Sequence, residues 1–175
     1  MTIRTERVVW CVAVVLAATA GVGFSQSGLP NKWSAEDPFN GTWRIDVEKS
    51  KALAAGRASV PVHEVITFDI KDNVHTYRVE VQSRDDTPRR NMGYESAWND
   101  GTYVPYTNYT GGELNGYVTN VKADDRTHYR IATDVEGNAR YVMMRRLTED
   151  GKAYIATGLS VDGELGQFRW MDRVE

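Results

Sequence analysis

Turn signals recur along this chain roughly every 10–13 residues, and short runs rich in β-branched and aromatic residues fill the gaps. The signals are Lys71-Asp72-Asn73, Asn99-Asp100-Gly101, Asp124-Asp125, Glu136-Gly137-Asn138, Glu149-Asp150-Gly151 and Asp162-Gly163. Evenly spaced short strands with such punctuation belong to an antiparallel sandwich or barrel. No long stretch carries a 3.6-residue period, and the best helical candidate is the alanine-rich Lys49–Ala58 segment.

Face matching sets the register of the clearest hairpin. With Asp72-Asn73 as a two-residue loop, Ile70 faces His75, Phe68 faces Tyr77, Ile66 faces Val79 and Glu64 faces Val81. A shift of one residue would set Phe68 and Ile66 beside Thr76 and Arg78, so the first register is expected. It turns Glu64 and His75 inward at opposite ends of the hairpin, about 20 Å apart. A loop at Asp100-Gly101 likewise pairs Trp98 with Tyr103 and Tyr94 with Thr107, with Met92, Tyr94, Ser96 and Trp98 on one face. Periodicity does not decide which face of Tyr117–Val121 and His128–Ala132 turns inward. The face with Val118, Asn120, Tyr129 and Ile131 is the more core-like, which would leave His128 and Arg130 in solvent.

The first 20 residues have the three-part layout of a secretory signal peptide. Arg4 and Arg7 precede an apolar run from Val8 to Ala20, and Ala18-Thr19-Ala20 offers a small-x-small cleavage pattern. A run of about 13 residues is short for a spanning helix, which needs roughly 20. The expectation is export to the periplasm or beyond, with no stable membrane insertion after cleavage. The only cysteine, Cys11, lies inside that run, so a cleaved chain has no disulfide and no thiolate. Cleavage leaves 19 basic against 23 acidic residues, a formal −4, which supplies no basic field for nucleic acid. Residues 21–38 read as a linker or a loosely docked arm, and residues 39–175 as the barrel domain.

Phe39-Asn40-Gly41-Thr42-Trp43-Arg44-Ile45-Asp46, with Glu48-Lys49-Ser50-Lys51 after it, resembles the first strand of lipocalin-like (calycin) β-barrels. The wording is nearest to small exported bacterial members of mostly unassigned function, which also carry a late hairpin matched by Thr148-Glu149-Asp150-Gly151-Lys152. The resemblance runs through Phe39–Glu175. It implies an all-β, up-and-down meander barrel of about eight to ten strands. It also implies that Trp43 plugs the barrel floor under a late arginine, Arg173 or Arg169. The cysteine pair of many secreted lipocalins is absent, and the strand number leaves a ten-stranded fatty-acid-binding type open.

The residues carry little reaction chemistry of a recognisable kind. His63, His75 and His128 are the only histidines, and no His-x-His or His-Glu-x-x-His spacing is present, so no metal and no other cofactor is expected. There is no Gly-x-Ser-x-Gly and no phosphate-binding glycine loop ahead of a helix. Aromatic residues instead crowd positions 94–117. The expected function is binding of a small hydrophobic or aromatic molecule in a cup lined by Phe68, Val79, Tyr94, Trp98, Tyr103 and Tyr117. The alternative is a cofactor-independent lyase, isomerase or cyclase. It would use His75, Tyr77 and Glu64 as acid–base groups in the same cup.

Overall fold

The structure, a computed structural model, describes residues 37–174. The expected signal peptide and nearly all of the expected linker therefore lie outside the described residues. Ten strands follow one another: β1 (Gly41–Ile45), β2 (His63–Lys71), β3 (Val74–Gln82), β4 (Arg90–Ala97), β5 (Val104–Asn108), β6 (Leu114–Asp124), β7 (Thr127–Thr133), β8 (Ala139–Leu147), β9 (Ala153–Ser160) and β10 (Leu165–Arg173). Each pairs antiparallel with its neighbours in sequence, and β1 closes the barrel on β10. This is the expected closed up-and-down meander. One short helix, α1 (Val47–Ala54), sits between β1 and β2. It begins earlier than the alanine pattern suggests, because the Asp46 carboxylate caps it by accepting from the Lys49 amide at 2.9 Å. It ends at Ala55 and Gly56, both at positive φ.

The β2–β3 hairpin has the register read from its faces, with Ile70 opposite His75, Phe68 opposite Tyr77 and Glu64 opposite Val81. Asp72 and Asn73 both take positive φ (50° and 68°), as a tight hairpin loop demands. The next hairpin differs by one residue. Gly93, not Tyr94, faces Thr107, and Trp98 bridges to Asn120 in place of Tyr103. The reason is loop length: residues 98–103 form a wide connection in which the Asn99 amide donates to the Asn120 carbonyl. The face of Met92, Tyr94, Ser96 and Trp98 still turns inward, each residue being buried.

The β6–β7 pair requires a larger correction. His128, Arg130 and Ala132 are buried inside, opposite Lys122, Asn120 and Val118, while Tyr129 and Ile131 are half-buried on the outer face. A register shift between Lys122 and Asp124 changes the phase of the two strands. Alternation counted straight through the turn therefore joins an inner row to an outer one.

The barrel floor is built around Trp43, which is fully buried. Its indole N–H donates to the Phe39 carbonyl at 2.8 Å, and its ring meets Tyr154 edge-on at 5.0 Å. The Arg173 guanidinium covers the indole at 4.1 Å and donates to the Asn40 and Pro38 carbonyls at 2.7 and 2.5 Å. Arg173 is thus the late arginine, and Arg169 serves elsewhere. Gly41 fits this corner because its φ is +117° and an added Cβ would stand 3.1 Å from Arg173 Nη1. Asp37 belongs to the barrel too: it is buried, and its carboxylate pairs with Lys122 Nζ at 2.5 Å.

Candidate functional site

Strand direction divides the barrel interior into levels. At the floor end, where β2 finishes and β3 begins, Phe39, Phe68, His75, Trp98 and His128 pack ring on ring. His75 lies parallel to Trp98 at 4.5 Å and stacks on Phe68 at 5.4 Å, and Phe39 stacks on His128 at 4.0 Å. Both nitrogens of each imidazole lack a hydrogen-bond partner among the described residues. Burial is the chief cause that holds both rings neutral: it lowers the His75 pKa well below its ordinary value and that of His128 to about 2. The positive charge of Arg145 adds to this in both cases, with Lys122 adding at His128.

Above this level, the Tyr94 hydroxyl donates to Asn120 Oδ1 at 3.0 Å, and Asn120 Nδ2 donates to Ser96 Oγ at 2.7 Å. Two arginines reach in from neighbouring strands. Arg130 of β7 and Arg145 of β8 are both buried, and each sets its guanidinium 5.1 Å from the Tyr77 ring centre. Arg145 faces His128 on one side and Ala156 on the other, and the small Ala156 side chain leaves room for it. Nε, Nη1 and Nη2 of Arg145 have no acceptor among the described residues, and neither do Nε and Nη1 of Arg130. A buried guanidinium without an acceptor is costly, and ring faces offset only part of that cost. Arg145→Met is therefore expected to raise the unfolding free energy by about 1–3 kcal/mol. The urea midpoint reads this directly, and a fall of the same size would show that Arg145 holds the fold together.

A cavity of about 260 Å³ opens at the opposite end, the mouth. Tyr77, Tyr106 and Tyr141 line it around Arg130, whose guanidinium lies 5.1–5.4 Å from each ring centre. Glu64, Arg90, Arg140 and Arg169 complete its charged wall. Glu64 is buried and accepts from Arg169 Nε, and Arg169 Nη1 donates to Gln167 Oε1 at 2.9 Å. The pairing with Arg169 ties up the carboxylate that the sequence offers as an acid–base group. Gly116, at φ +134°, lets β6 pass close under the Thr133 carbonyl, beside the register shift that puts Asn115 into the cavity wall.

The nine residues singled out from sequence divide accordingly. Glu64, Tyr77 and Val79 line the cavity. Phe68, His75, Tyr94 and Trp98 are inward and buried but form the packed levels beneath it. Tyr103 and Tyr117 are not in the cup. Tyr103 is 46% exposed, and the two share an outer groove with Thr133 and Ala139. Tyr117 is out because Val118 and Asn120 hold the inner face of β6, and Tyr103 is out because it lies in the wide β4–β5 connection.

His75, Tyr77 and Glu64 do not converge on one point. His75 lies at the floor, and Glu64 is bonded to Arg169. Burial raises the Tyr77 phenol to about 12 against the opposing pull of Arg130 and Arg145, so it stays protonated near neutral pH. The cavity residues missed from sequence include Arg90, Tyr106, Arg130, Arg140 and Tyr141, with the buried Arg145 beneath them. Among the described residues, no group of three or more His, Cys, Asp or Glu side chains could hold a metal ion, and no helix is long and apolar enough to cross a membrane.

No protein-family model matches the chain, and no curated protein sequence matches it. Among solved structures it is similar to the crystal structure of secretory abundant heat soluble protein 4 from Ramazzottius varieornatus. The two are 12% identical, the match covers 81% of this chain and 99% of that one, and the TM-score is 0.48.

Proposed function

We propose that this barrel is an exported binding module for a small aromatic molecule, held in the mouth cavity. The observation that carries the reading is the convergence of Tyr77, Tyr106 and Tyr141 on one 260 Å³ space, with polar groups set among them. Flat rings facing a common centre suit stacking, and a few fixed polar groups suit orientation. Export is supported by the sequence pattern of Arg4, Arg7 and the Val8–Ala20 run. The lyase, isomerase or cyclase alternative is less well supported: Glu64, the one carboxylate in the wall among the described residues, is tied to Arg169, and the Tyr77 phenol holds its proton.

Calorimetric titration with 2-naphthoate, 2-naphthamide and 2-naphthylmethylammonium tests the reading. At least one is expected to bind wild type at one per barrel, and Tyr106→Ala and Tyr141→Ala are each expected to weaken it at least fivefold. If none of the three binds, the cavity is not a site for aromatic molecules.

A further inference from the structure

The charge lining the mouth points further, on the condition that the cavity binds an aromatic molecule at all. We propose that its ligand is an aromatic acid, whose carboxylate or sulfonate is received by Arg130 while its ring stacks among Tyr77, Tyr106 and Tyr141. Four arginines and one glutamate line the cavity, a formal +3, in a chain whose net charge is −3. The glutamate is already bonded to Arg169, and Arg140 Nη1 is engaged with the Asn115 carbonyl at 3.1 Å.

Arg130 differs from these. It is 4% exposed, it lines the cavity, and its Nε and Nη1 have no acceptor among the described residues. Its one hydrogen bond among the described residues is a long one from Nη2 to Met143 Sδ at 3.7 Å, which leaves Nε and Nη1 to offer donors. A fork to the two oxygens of a carboxylate or sulfonate pairs Nη2 with either Nε or Nη1, and the long sulfur contact uses only one of the two Nη2 hydrogens. The phenol rings around Arg130 exclude water from that contact, and exclusion of water strengthens it. A cationic ligand would bring its charge against an already positive wall, and a neutral one would leave the buried guanidinium charge uncompensated.

The same three ligands decide the matter when ranked. 2-Naphthoate is expected to bind wild type at least tenfold more tightly than the isosteric 2-naphthamide, with 2-naphthylmethylammonium weakest. Arg130→Met should abolish that preference, and a circular dichroism spectrum and cooperative urea transition like those of wild type show that the variant barrel is intact. Arg130→Lys keeps the charge without the fork and should retain only part of the preference. Equal affinity of wild type for 2-naphthoate and 2-naphthamide overturns the acid assignment and leaves the aromatic site standing. An acid preference that survives Arg130→Met overturns the role given to Arg130. No binding by any of the three overturns the binding function and the acid assignment together. If Arg130→Met does not fold, Arg130→Lys carries the decision: undiminished preference in it removes the forked contact.

Discussion

Lowering the pH from 7 to 5 is expected to cost this barrel about 2 kcal/mol of stability through His128, with His75 adding to the loss in the same direction. The folded pKa values of His75 and His128 are both depressed, that of His128 to about 2. In the unfolded chain each imidazole takes up a proton below about 6.5. Between the folded and unfolded values the unfolded state therefore binds more protons, and acid favours it. The stability is fully present above about pH 6.5 and falls as pH drops toward the folded values. Well below 6.5 the slope is about 1.4 kcal/mol per pH unit for each histidine. Burial is the main reason neither ring accepts a proton, and the charges facing them add to it. Arg130 and Arg145 bear on His75, and Arg145 and Lys122 bear on His128. Among the described residues the carboxylate near these rings is Asp37, which stands 3.9 Å from His128 Nε2 and is already bonded to Lys122. Urea midpoints at pH 7 and pH 5 measure the effect. The His75→Gln, His128→Gln double variant should lose less than about 1 kcal/mol over the same window. A wild-type barrel equally stable at both values would mean that the floor imidazoles are protonated in the fold.

Trp43→Ala is the second large effect, an expected loss of about 3–5 kcal/mol. The indole is the largest fully buried side chain, and its removal opens a void beneath Phe39 and Tyr154. It also leaves the Phe39 carbonyl without its donor and Arg173 without the ring it covers. Thermal or chemical denaturation reads the loss. Trp170→Ala supplies the contrast. Trp170 is half-buried on the outer surface, where Lys49 Nζ sits 3.4 Å from its ring centre, and its loss should cost about 1 kcal/mol. Comparable losses in the two variants would remove Trp43 from its place as the floor plug.

The fold was legible wherever a turn was short and the two faces differed. In β2–β3 the loop is two residues long and the faces separate Phe68, Ile66 and Val79 from Thr67, Arg78 and Glu80, so the register follows from alternation alone. The site was less legible because its interior is polar. His128 and Arg130 look like solvent residues beside Tyr129 and Ile131, yet they turn inward, and the outer row is the more apolar of the two. In β8, Tyr141-Val142-Met143-Met144-Arg145-Arg146-Leu147 places an arginine and apolar residues on both faces, so no sequence rule marks Arg145 as the buried one. The cluster of tyrosines at positions 94–117 overstated the cup, since strand phase and a wide loop put Tyr103 and Tyr117 outside. A polar, cation-bearing interior departs from the pattern that stability alone favours, and such departures mark functional positions.

Arg130 is the most direct place to look for a ligand. Its side-chain Nε–H resonance, assigned through loss of the signal in Arg130→Met, can be followed by nitrogen–proton correlation spectroscopy during titration with 2-naphthoate. A saturable shift of that resonance, with exposed Arg84 unmoved, is the expected result. An Arg130 signal that stays fixed while the ligand saturates would contradict a binding cup at the mouth of this barrel.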